Sequence, residues 1–508
     1  MGADRQGRRA AQGGREGRPA RRGQGVRGQA RRREEARAPH GDGLRSPLAR
    51  TAPTSPTGSV SPARAAALDR LERQASRFPD LEFGEHGTPG LDARDAALAR
   101  AIEHAAAQRW LTLVALARAC IDRRWENVDH RIKAAVLGAA AQLFLFGNQA
   151  DHAVVDDTVE WTKAKGHRGA PGFVNAVLRR MVSLRGGIED GDAADPARWR
   201  GRDDVLPLAD GRVLRLTRGV FGRDEVQRTC EQLSVGEELF LHWINAVGRE
   251  RAFARALHCL RPAPLVVAGL PEAAFVAGGT LEGRAVPHSR PGYHVWTDGH
   301  ESLVAALAAH PGARVQDAAS ARPVHLSDTL RPAVILDACA GRGTKTGQLA
   351  ELHPQAEVVA TDVDGARLRA LAKAFEGHPR VKVTTPEGLR RVVGRVDLLV
   401  LDVPCSNTGV LPRRPEAKYR FTRARLDSLV RLQRQIVEEH RLMLSPEGAI
   451  LYATCSLEPT ENEQQVAWAA GRTGRSVARQ ERAEPEGLPG GPDMAYSDGG
   501  FGALLAAR

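Results

Sequence analysis

The sequence predicts a multidomain protein in which an all-helical N-terminal domain precedes an α/β domain with a doubly wound, mostly parallel sheet. A chain of 508 residues is too long for one hydrophobic core, so two to four domains are expected. Between residues 63 and 185 apolar side chains recur every three or four positions, which indicates helices. From residue 333 onward hydrophobic strands, glycine turns and helices alternate, which is typical of a parallel sheet.

The N-terminal segment carries most of the positive charge. Residues 1–50 contain 14 Arg against 5 Asp or Glu, and thus supply +9 of the net charge of +12. They contain almost nothing that could form a core, so residues 1–62 are predicted to be a disordered tail and linker. Two interpretations stay open: an arm attracted to RNA phosphates, and a solvated tail or a start codon assigned too far upstream.

Composition sets the remaining boundaries. A helical domain is predicted over 63–190, a Gly/Asp/Arg-rich connector or insertion over 191–232, and a mixed helical and α+β module over 233–330. The α/β domain then covers 331–508.

The composition also excludes several classes of protein. Six cysteines without close pairs argue against a disulfide framework, and the lack of C-x-x-C or H-x-x-x-H spacing argues against a zinc or other metal site. No stretch approaches the roughly 20 apolar residues of a membrane span, and the basic N-terminus lacks the apolar segment of a secretory signal. A reducing cytoplasm is therefore expected.

The turn after the first strand of the α/β domain is a candidate cofactor site. It differs from a P-loop and from G-x-G-x-x-G, but Asp362 ends the next strand about 20 residues later, where an acid can bind ribose hydroxyls. Asp337 before the turn would suit a cofactor with an ammonium group, such as S-adenosylmethionine. The alternative is a structural turn with a surface acid. The predicted ligands in the turn are Cys339, Ala340, Gly341, Arg342, Gly343, Thr344 and Lys345.

Two cysteines follow hydrophobic strands, Cys405 in "LLVLDVPCSNTG" and Cys455 in "LYATCSLEPTENE". Strand ends of a parallel sheet meet at one edge, so both thiols are expected to face the cofactor crevice. Methylation of pyrimidine carbon 5 needs a thiolate that adds to carbon 6, and a second group that helps remove the carbon-5 proton. The alternative is that each cysteine is only a small buried hydrophobe.

These segments resemble the RsmB/Sun-type RNA cytosine-C5 methyltransferases of the RsmB/NOP group. "LDVPCSNTGVLPRRPEAKYRF" is similar to the family's D-A-P-C-S-G-T-G-V-x-R-R-x-P-D-x-K-W segment, and "LYATCSLEPTENEQQV" to its Y-x-T-C-S-x-x-x-x-E-N-E segment. The resemblance implies a class I S-adenosylmethionine-dependent domain with a seven-stranded sheet. It further implies that Cys455 is the nucleophile and that Cys405 assists product release.

The same resemblance implies further site residues. Glu387 is expected on the adenine side of the cofactor, and Asp402 beside the cofactor and the base. The family turn C-A-A-P-G-G-K-T is changed here, because Arg-Gly-Thr replaces Pro-Gly-Gly. Phosphate contacts are predicted for Arg413, Arg414 and Lys418, with a solvated basic loop as the alternative.

The helical half is similar to the NusB-type RNA-binding domain, on the segments "LGAAAQLFLFG", "DHAVVDDTVEWTK" and "GFVNAVLRRM". This fusion implies small-subunit ribosomal RNA as substrate. An accessory RNA-binding module is expected over 233–330, and the protein is expected to be a monomer. Three rivals remain: the same chemistry on transfer RNA, a non-catalytic RNA-binding protein with a scaffold methyltransferase fold, and a small-molecule methylase or NAD enzyme. The last explains neither the second cysteine nor the helical domain.

Overall fold

The structure is a computed structural model that describes residues 60–82, 89–147, 149–166, 168–189 and 195–507. The Arg-rich segment 1–50 and most of the linker 51–62, predicted to be disordered, lie outside these residues. In the part of the chain that is described, no helix is long and apolar enough to cross a membrane.

The helical pattern in the first part of the chain forms a bundle around one core that contains Leu68 and Trp110. Asp92 caps the second helix, because its carboxylate accepts a hydrogen bond from the Asp95 amide at 2.7 Å. Gly138 lets two helices approach closely, since a Cβ there would lie 2.5 Å from Leu68 Cδ2. The helices are α1 (Pro62–Arg77), α2 (Ala93–Gln108), α3 (Trp110–Cys120), α4 (His130–Leu145), α5 (Asp151–Ala164) and α6 (Ala170–Leu184).

A small antiparallel sheet follows the bundle, with strand order β1-β3-β2. Its strands are β1 (Arg185–Glu189), β2 (Val205–Pro207) and β3 (Val213–Leu216). Three helices come next: α7 (Glu225–Leu233), α8 (Glu237–Val247) and α9 (Arg249–His258). The segment predicted as a connector thus contains two strands and most of a helix.

A second antiparallel sheet has the strand order β5-β6-β4-β7. It consists of β4 (Val266–Ala268), β5 (Ala285–Pro287), β6 (Tyr293–Trp296) and β7 (Arg314–Val315). The helices α10 (His300–Ala309) and α11 (Ala318–His325) accompany it, and Leu303 of α10 packs in one core with Trp296 of β6.

The large sheet has seven strands in the order β10-β9-β8-β11-β12-β14-β13. The first five are parallel, and β14 pairs antiparallel with both β12 and β13, as predicted for a mostly parallel sheet. The strands are β8 (Val334–Asp337), β9 (Glu357–Ala360), β10 (Val381–Val383), β11 (Val396–Asp402), β12 (Leu444–Thr454), β13 (Ser476–Ala483) and β14 (Gly500–Ala506). The helices are α12 (Thr344–Leu352), α13 (Gly365–Ala374), α14 (Ala417–Arg420), α15 (Arg423–His440) and α16 (Glu463–Thr473).

The sheet topology decides where a ligand can bind. Strands β8 to β10 are added in one direction, and β11 then returns to the other side of β8. Ligands of doubly wound sheets bind at such a reversal, beyond the carboxyl ends of the strands. Strand β8 ends at Asp337, and Asp402 at the end of β11 pairs with Ala453 of β12. The loops that follow these three strands therefore meet at one edge.

Candidate active site

The two predicted cysteines lie side by side at this edge. The Sγ atoms of Cys405 and Cys455 are 3.2 Å apart, although 50 residues separate them in the sequence. Cys405 is buried and Cys455 is partly exposed. Asn407 contacts both cysteines. Its side-chain Nδ2 donates to the Cys405 carbonyl, and its Oδ1 accepts from Cys455 Sγ at 3.1 Å. The sulfurs thus share one compartment.

A buried carboxylate, Glu461, connects the two cysteine loops. One of its oxygens accepts from the Ser406 amide at 3.0 Å and from the Gln433 side chain at 3.0 Å. The other accepts from the hydroxyls of Ser406 and Ser456. Each serine directly follows one cysteine, so this single side chain holds both loops. Burial raises the pKa of Glu461, while these hydrogen bonds oppose the rise.

The neighbouring Asn462 secures the end of β12. The Thr454 hydroxyl donates to Asn462 Oδ1 at 2.6 Å, and the Asn462 amide donates to the Ser456 carbonyl at 2.9 Å. Across the gap, the Leu457 amide donates to the Thr408 hydroxyl at 2.9 Å. The polar residues around the cysteines therefore fix backbone geometry.

Lys345 connects the cofactor turn with the thiols. Its ammonium lies 2.8 Å from Asp402 Oδ2 at the end of β11. Burial would lower the pKa of Lys345, but Asp402, Cys455 and Asp337 raise it on balance. Lys345 is therefore a cation directed at the thiol compartment.

The glycine turn has the shape that its sequence suggested. Gly341 and Gly343 have φ angles of 58° and 94°, in the left-handed region that favours glycine. A Cβ at Gly343 would lie 2.4 Å from Phe375. Asp362 holds the turn, because it accepts from the amides of Gly341 at 2.9 Å and Asp364 at 2.8 Å. Its predicted contact with ribose hydroxyls stays a prediction.

Asp337 gives a test of whether an ammonium-bearing cofactor fits. One of its oxygens accepts from the Thr346 hydroxyl at 2.7 Å, and the other is buried without a hydrogen-bond partner. Burial raises the pKa of Asp337 to about 7, and the charge of Asp402 acts in the same direction. A positively charged donor would supply the missing partner, so the site fits S-adenosylmethionine.

The remaining predicted cofactor residues lie in the turn itself, except Glu387. Cys339 is half-buried, and burial raises the pKa of its thiol well above the ordinary value. Ala340 is buried, Arg342 is exposed, and Thr344 begins α12. Glu387 is exposed in a 3₁₀ segment after β10. In the described residues no group of three possible metal ligands occurs.

The structure corrects part of the RNA-contact prediction. The Arg413 guanidinium donates to Asp498 at 2.6 Å, to Asp317 at 3.1 Å and to the Pro264 carbonyl at 3.1 Å. These contacts join the residues that flank the second antiparallel sheet to the loop before β14, so the Arg413 side chain is engaged within the protein and not with a phosphate. Arg414 is exposed, and its contact with RNA phosphates stays a prediction.

For Lys418 the prediction is wrong. Its side chain is fully buried, and the ammonium donates to the Gln108 carbonyl at the end of α2, at 2.5 Å. The Tyr419 hydroxyl beside it donates to the Ala107 carbonyl at 2.6 Å. Burial lowers the pKa of Lys418 to about 7. The segment after the Cys405 loop thus packs against the helical bundle.

Sequence reasoning missed three residues of this site, namely Asn407, Glu458 and Glu461. Glu458 is fully buried, lies 2.6 Å from His242 Nε2 and accepts from the Trp243 indole at 3.1 Å. Their position inside the two cysteine motifs was the available signal. Motif position does not reveal which acids are buried, because that depends on α8 and α15 packing over the loops.

The comparisons with known proteins agree with this geometry. A family model described as 16S rRNA methyltransferase RsmB/F matches residues 327–488. A model of the NusB family matches residues 62–183. The helical bundle and the large sheet thus each match a separate family.

Two relatives cover much of the chain. A ribosomal RNA small subunit methyltransferase B from Xanthomonas campestris pv. campestris is 30% identical over 438 residues, which are 82% of this chain and 90% of that protein. A probable ribosomal RNA small subunit methyltransferase B from Synechocystis is 29% identical over 322 residues, which are 62% of this chain and 67% of that protein.

The crystal structure of PH0851 has the same fold, with a TM-score of 0.62 at 16% identity over 88% of this chain and 99% of that one. Its likeness concerns the fold alone. The reaction is RNA methylation, as the matched family indicates. The cofactor is S-adenosylmethionine, as the family and the unpartnered oxygen of Asp337 indicate. With nine-tenths of the Xanthomonas protein covered at 30% identity, the chain belongs to the ribosomal RNA small subunit methyltransferase B family.

Proposed function

We propose that the protein methylates carbon 5 of a cytosine in small-subunit ribosomal RNA, with Cys455 as nucleophile and Cys405 as the residue that helps release the product. The carrying observation is the 3.2 Å distance between the two sulfurs at the ends of neighbouring parallel strands. Two functional thiols are what carbon-5 methylation needs, because one must bond to the ring and a second group must help undo that bond. The names of the relatives support ribosomal RNA as substrate.

The first step is an addition. The Cys455 thiolate forms a bond to cytosine carbon 6, and the electron pair of the carbon 5–carbon 6 double bond becomes available at carbon 5. When bound, S-adenosylmethionine would supply an electrophilic methyl group, whose bond to sulfur breaks so that the neutral thioether S-adenosylhomocysteine leaves. Carbon 5 takes up that methyl group and then carries both it and its original hydrogen.

The second step is an elimination, for which Cys405 is suited. Its hydrogen bond with Cys455 and its burial raise the pKa of Cys405 well above the ordinary value, so it rests as a thiol. Once Cys455 is bonded to carbon 6, that sulfur no longer carries a charge and its effect on Cys405 ends. The Cys405 sulfur can then release its own proton to solvent and, as a thiolate, accept the proton from carbon 5. The carbon 5–carbon 6 double bond re-forms and Cys455 leaves as a thiolate.

Asp402 supports cytosine over uracil. Its Oδ2 accepts from Lys345 beside the thiols, which leaves Oδ1 to accept from the exocyclic amino group of cytosine. Uracil presents a carbonyl oxygen there, which a carboxylate repels. The base must leave its stack to reach this edge, at a cost of a few kcal/mol, so loops or partly unfolded RNA are preferred. We place the reaction in the cytoplasm, on RNA bound by a monomer.

Replacement of the cysteines tests the chemistry. We expect Cys455→Ser to lower methyl transfer by roughly 1,000-fold or more while S-adenosylmethionine binding, measured by calorimetry, stays unchanged. We expect Cys405→Ala to accumulate a covalent RNA–protein adduct, visible as a slow band on a denaturing gel. Wild-type turnover by Cys455→Ser would contradict the assignment.

Bisulfite mapping of total RNA from a deletion strain tests the substrate. We expect the loss of one 5-methylcytosine in small-subunit ribosomal RNA. A loss in transfer RNA would favour the first rival, and no loss together with no binding of S-adenosylmethionine would favour the scaffold protein.

A further inference from the structure

Glu461 differs from the other buried acids near the thiols in the groups that surround it. Its four hydrogen-bond donors are a main-chain amide, two hydroxyls and the side-chain amide of Gln433, and all of them are neutral. Glu458, three residues earlier and equally buried, faces His242. The charge of Glu461 therefore acts on its surroundings without a cation beside it, in a region where electrostatic effects are strong.

We propose that Glu461 is a positioning residue with two tasks: it holds the two thiols at reacting distance, and it assigns the negative charge of the ionised pair to Cys455. The proposal rests on the proposed function, in which Cys455 is the nucleophile. It explains why Cys455, and not the adjacent Cys405, becomes the nucleophile.

The first task follows from the hydrogen bonds. Ser406 and Ser456 are the residues directly after the two cysteines, and both donate their hydroxyls to the same oxygen of Glu461. The Ser406 amide adds a third bond at 3.0 Å. The pairing of β11 with β12 and the Leu457–Thr408 hydrogen bond already link the two loops, and Glu461 adds a link directly beside the thiols.

The second task follows from the positions of the charges. Two thiolates 3.2 Å apart repel each other strongly, so the pair carries at most one negative charge at a time. Glu461 accepts two hydrogen bonds from Ser406, the residue after Cys405, and one from Ser456, the residue after Cys455. Its charge adds to the hydrogen bond with Cys455 and to burial in raising the pKa of Cys405. A negative charge on Cys405 is thus disfavoured.

Cys455 has the opposite environment. It is the more exposed thiol, and it interacts favourably with the Lys345 ammonium. Asp402 and Asp337 face the same ammonium and reduce its effect. Asn407 Oδ1 accepts from the protonated sulfur, but it carries no charge. A cation near Cys455 and an anion near Cys405 both favour a thiolate on Cys455.

Alkylation of the RNA-free full-length protein by limiting iodoacetamide tests the proposal, because the reagent reacts with thiolates. Peptide mass spectrometry measures the ratio of label on Cys455 to label on Cys405. In the wild type we expect Cys455 to be labelled first. In Glu461→Gln, which keeps the shape and removes the charge, we expect this ratio to fall by about tenfold, the equivalent of one pKa unit.

The matched control is Glu458→Gln, which removes a buried carboxylate from the same loop and should leave the ratio unchanged. An unchanged ratio in Glu461→Gln, or an equal fall in both variants, would overturn the proposal. If Glu461→Gln fails to fold in a thermal melt, the wild type still decides, because faster labelling of Cys405 contradicts the charge assignment. Failure of the proposed function is seen separately, as methyl transfer by Cys455→Ser.

Discussion

Lys345 is partly buried and Lys418 fully buried, and their surroundings differ. In the thiol crevice, defined by Lys345, Asp402, Cys405, Cys455 and Glu461, the lysine has a carboxylate at 2.8 Å and its pKa is raised. In the bundle contact, defined by Lys418 and Tyr419 against the end of α2, the lysine meets a carbonyl and burial lowers its pKa to about 7. The partner, rather than burial alone, decides whether a buried amine stays charged.

The two lysines therefore suit different tasks, Lys345 a part in the reaction and Lys418 a contact between domains. A permanent cation stabilises a nearby thiolate, so Lys345 suits the proposed nucleophile Cys455. An amine that can lose its proton is suited to a contact between domains, where it satisfies the free carbonyls at a helix end without a counter-ion. From sequence, Lys345 was predicted to bind the cofactor and Lys418 to contact an RNA phosphate, but the structure gives the two lysines different tasks.

The largest expected effect is on catalysis. Lys345→Met should lower methyl transfer by at least about 100-fold, because Asp402 loses its partner and the crevice its only cation from α12. The measurement is transfer of radiolabelled methyl to RNA. Lys418→Met is the matched control and should change the rate less than about tenfold; equal losses would erase the distinction between the two regions.

The second effect is on the pH dependence of stability. The pKa of Lys418 is about 7 in the folded protein and about 10.4 in the unfolded chain, so the unfolded chain binds an extra proton between these values. The contribution of Lys418 to the free energy of unfolding is therefore lowest below pH 7. It rises with pH by up to about 1.4 kcal/mol per pH unit.

Urea unfolding between about pH 7 and about pH 9 measures this contribution. Lys418→Met should lose the upward slope that the wild type shows over that window, while Lys345→Met should keep it. Parallel curves for Lys418→Met and the wild type would mean that the amine is charged in the bundle contact.

A smaller effect is expected at Tyr419. Its hydroxyl donates to the Ala107 carbonyl and accepts from the Trp110 amide, and it contacts Ser234 at 2.9 Å. Tyr419→Phe keeps the ring but leaves buried polar groups without a partner, so the free energy of unfolding should fall by about 1–3 kcal/mol. Methyl transfer at low temperature should be nearly unchanged; a large loss of rate would show that the bundle contact shapes the crevice.

The smallest effect on stability is expected at Arg414. Arg414→Ala should change the free energy of unfolding by less than about 0.5 kcal/mol and weaken RNA binding, with the salt dependence of log K reduced by about one ion. Its neighbour provides the contrast, since Arg413→Ala leaves the buried Asp317 and Asp498 unpaired and should cost about 3 kcal/mol or more. An unchanged salt dependence would remove Arg414 from the RNA contacts.

Much of the fold could be predicted from local pattern. The helical period before residue 185 and the strand–turn–helix alternation after 333 correspond to the bundle and the seven-stranded sheet. The short strands over 185–216 were not predicted, because three to five residues carry too little period and their pairing is non-local. The pairing of Leu214 with both Leu206 and Ile188 illustrates this.

For the site, residue identity was a good guide to the thiols and a poor guide to their neighbours. Cys405 and Cys455 follow strands, and strand ends of a parallel sheet share an edge. Arg413 and Lys418 stand in a basic loop that looks solvated, and only packing against Asp317, Asp498 and Gln108 reveals their contacts. Long-range charge pairs leave no periodic signal in a sequence.

By itself the amino-acid sequence determined the order of domains, the glycine turn and the two strands that end in thiols, because these depend on local backbone preference and side-chain period. Tertiary structure alone decided that the sulfurs meet at 3.2 Å, that Glu461 links their loops, and that Lys345 is a cation while Lys418 makes a buried contact. Distances and burial arise from segments far apart in the chain, whose spacing is fixed only when they pack.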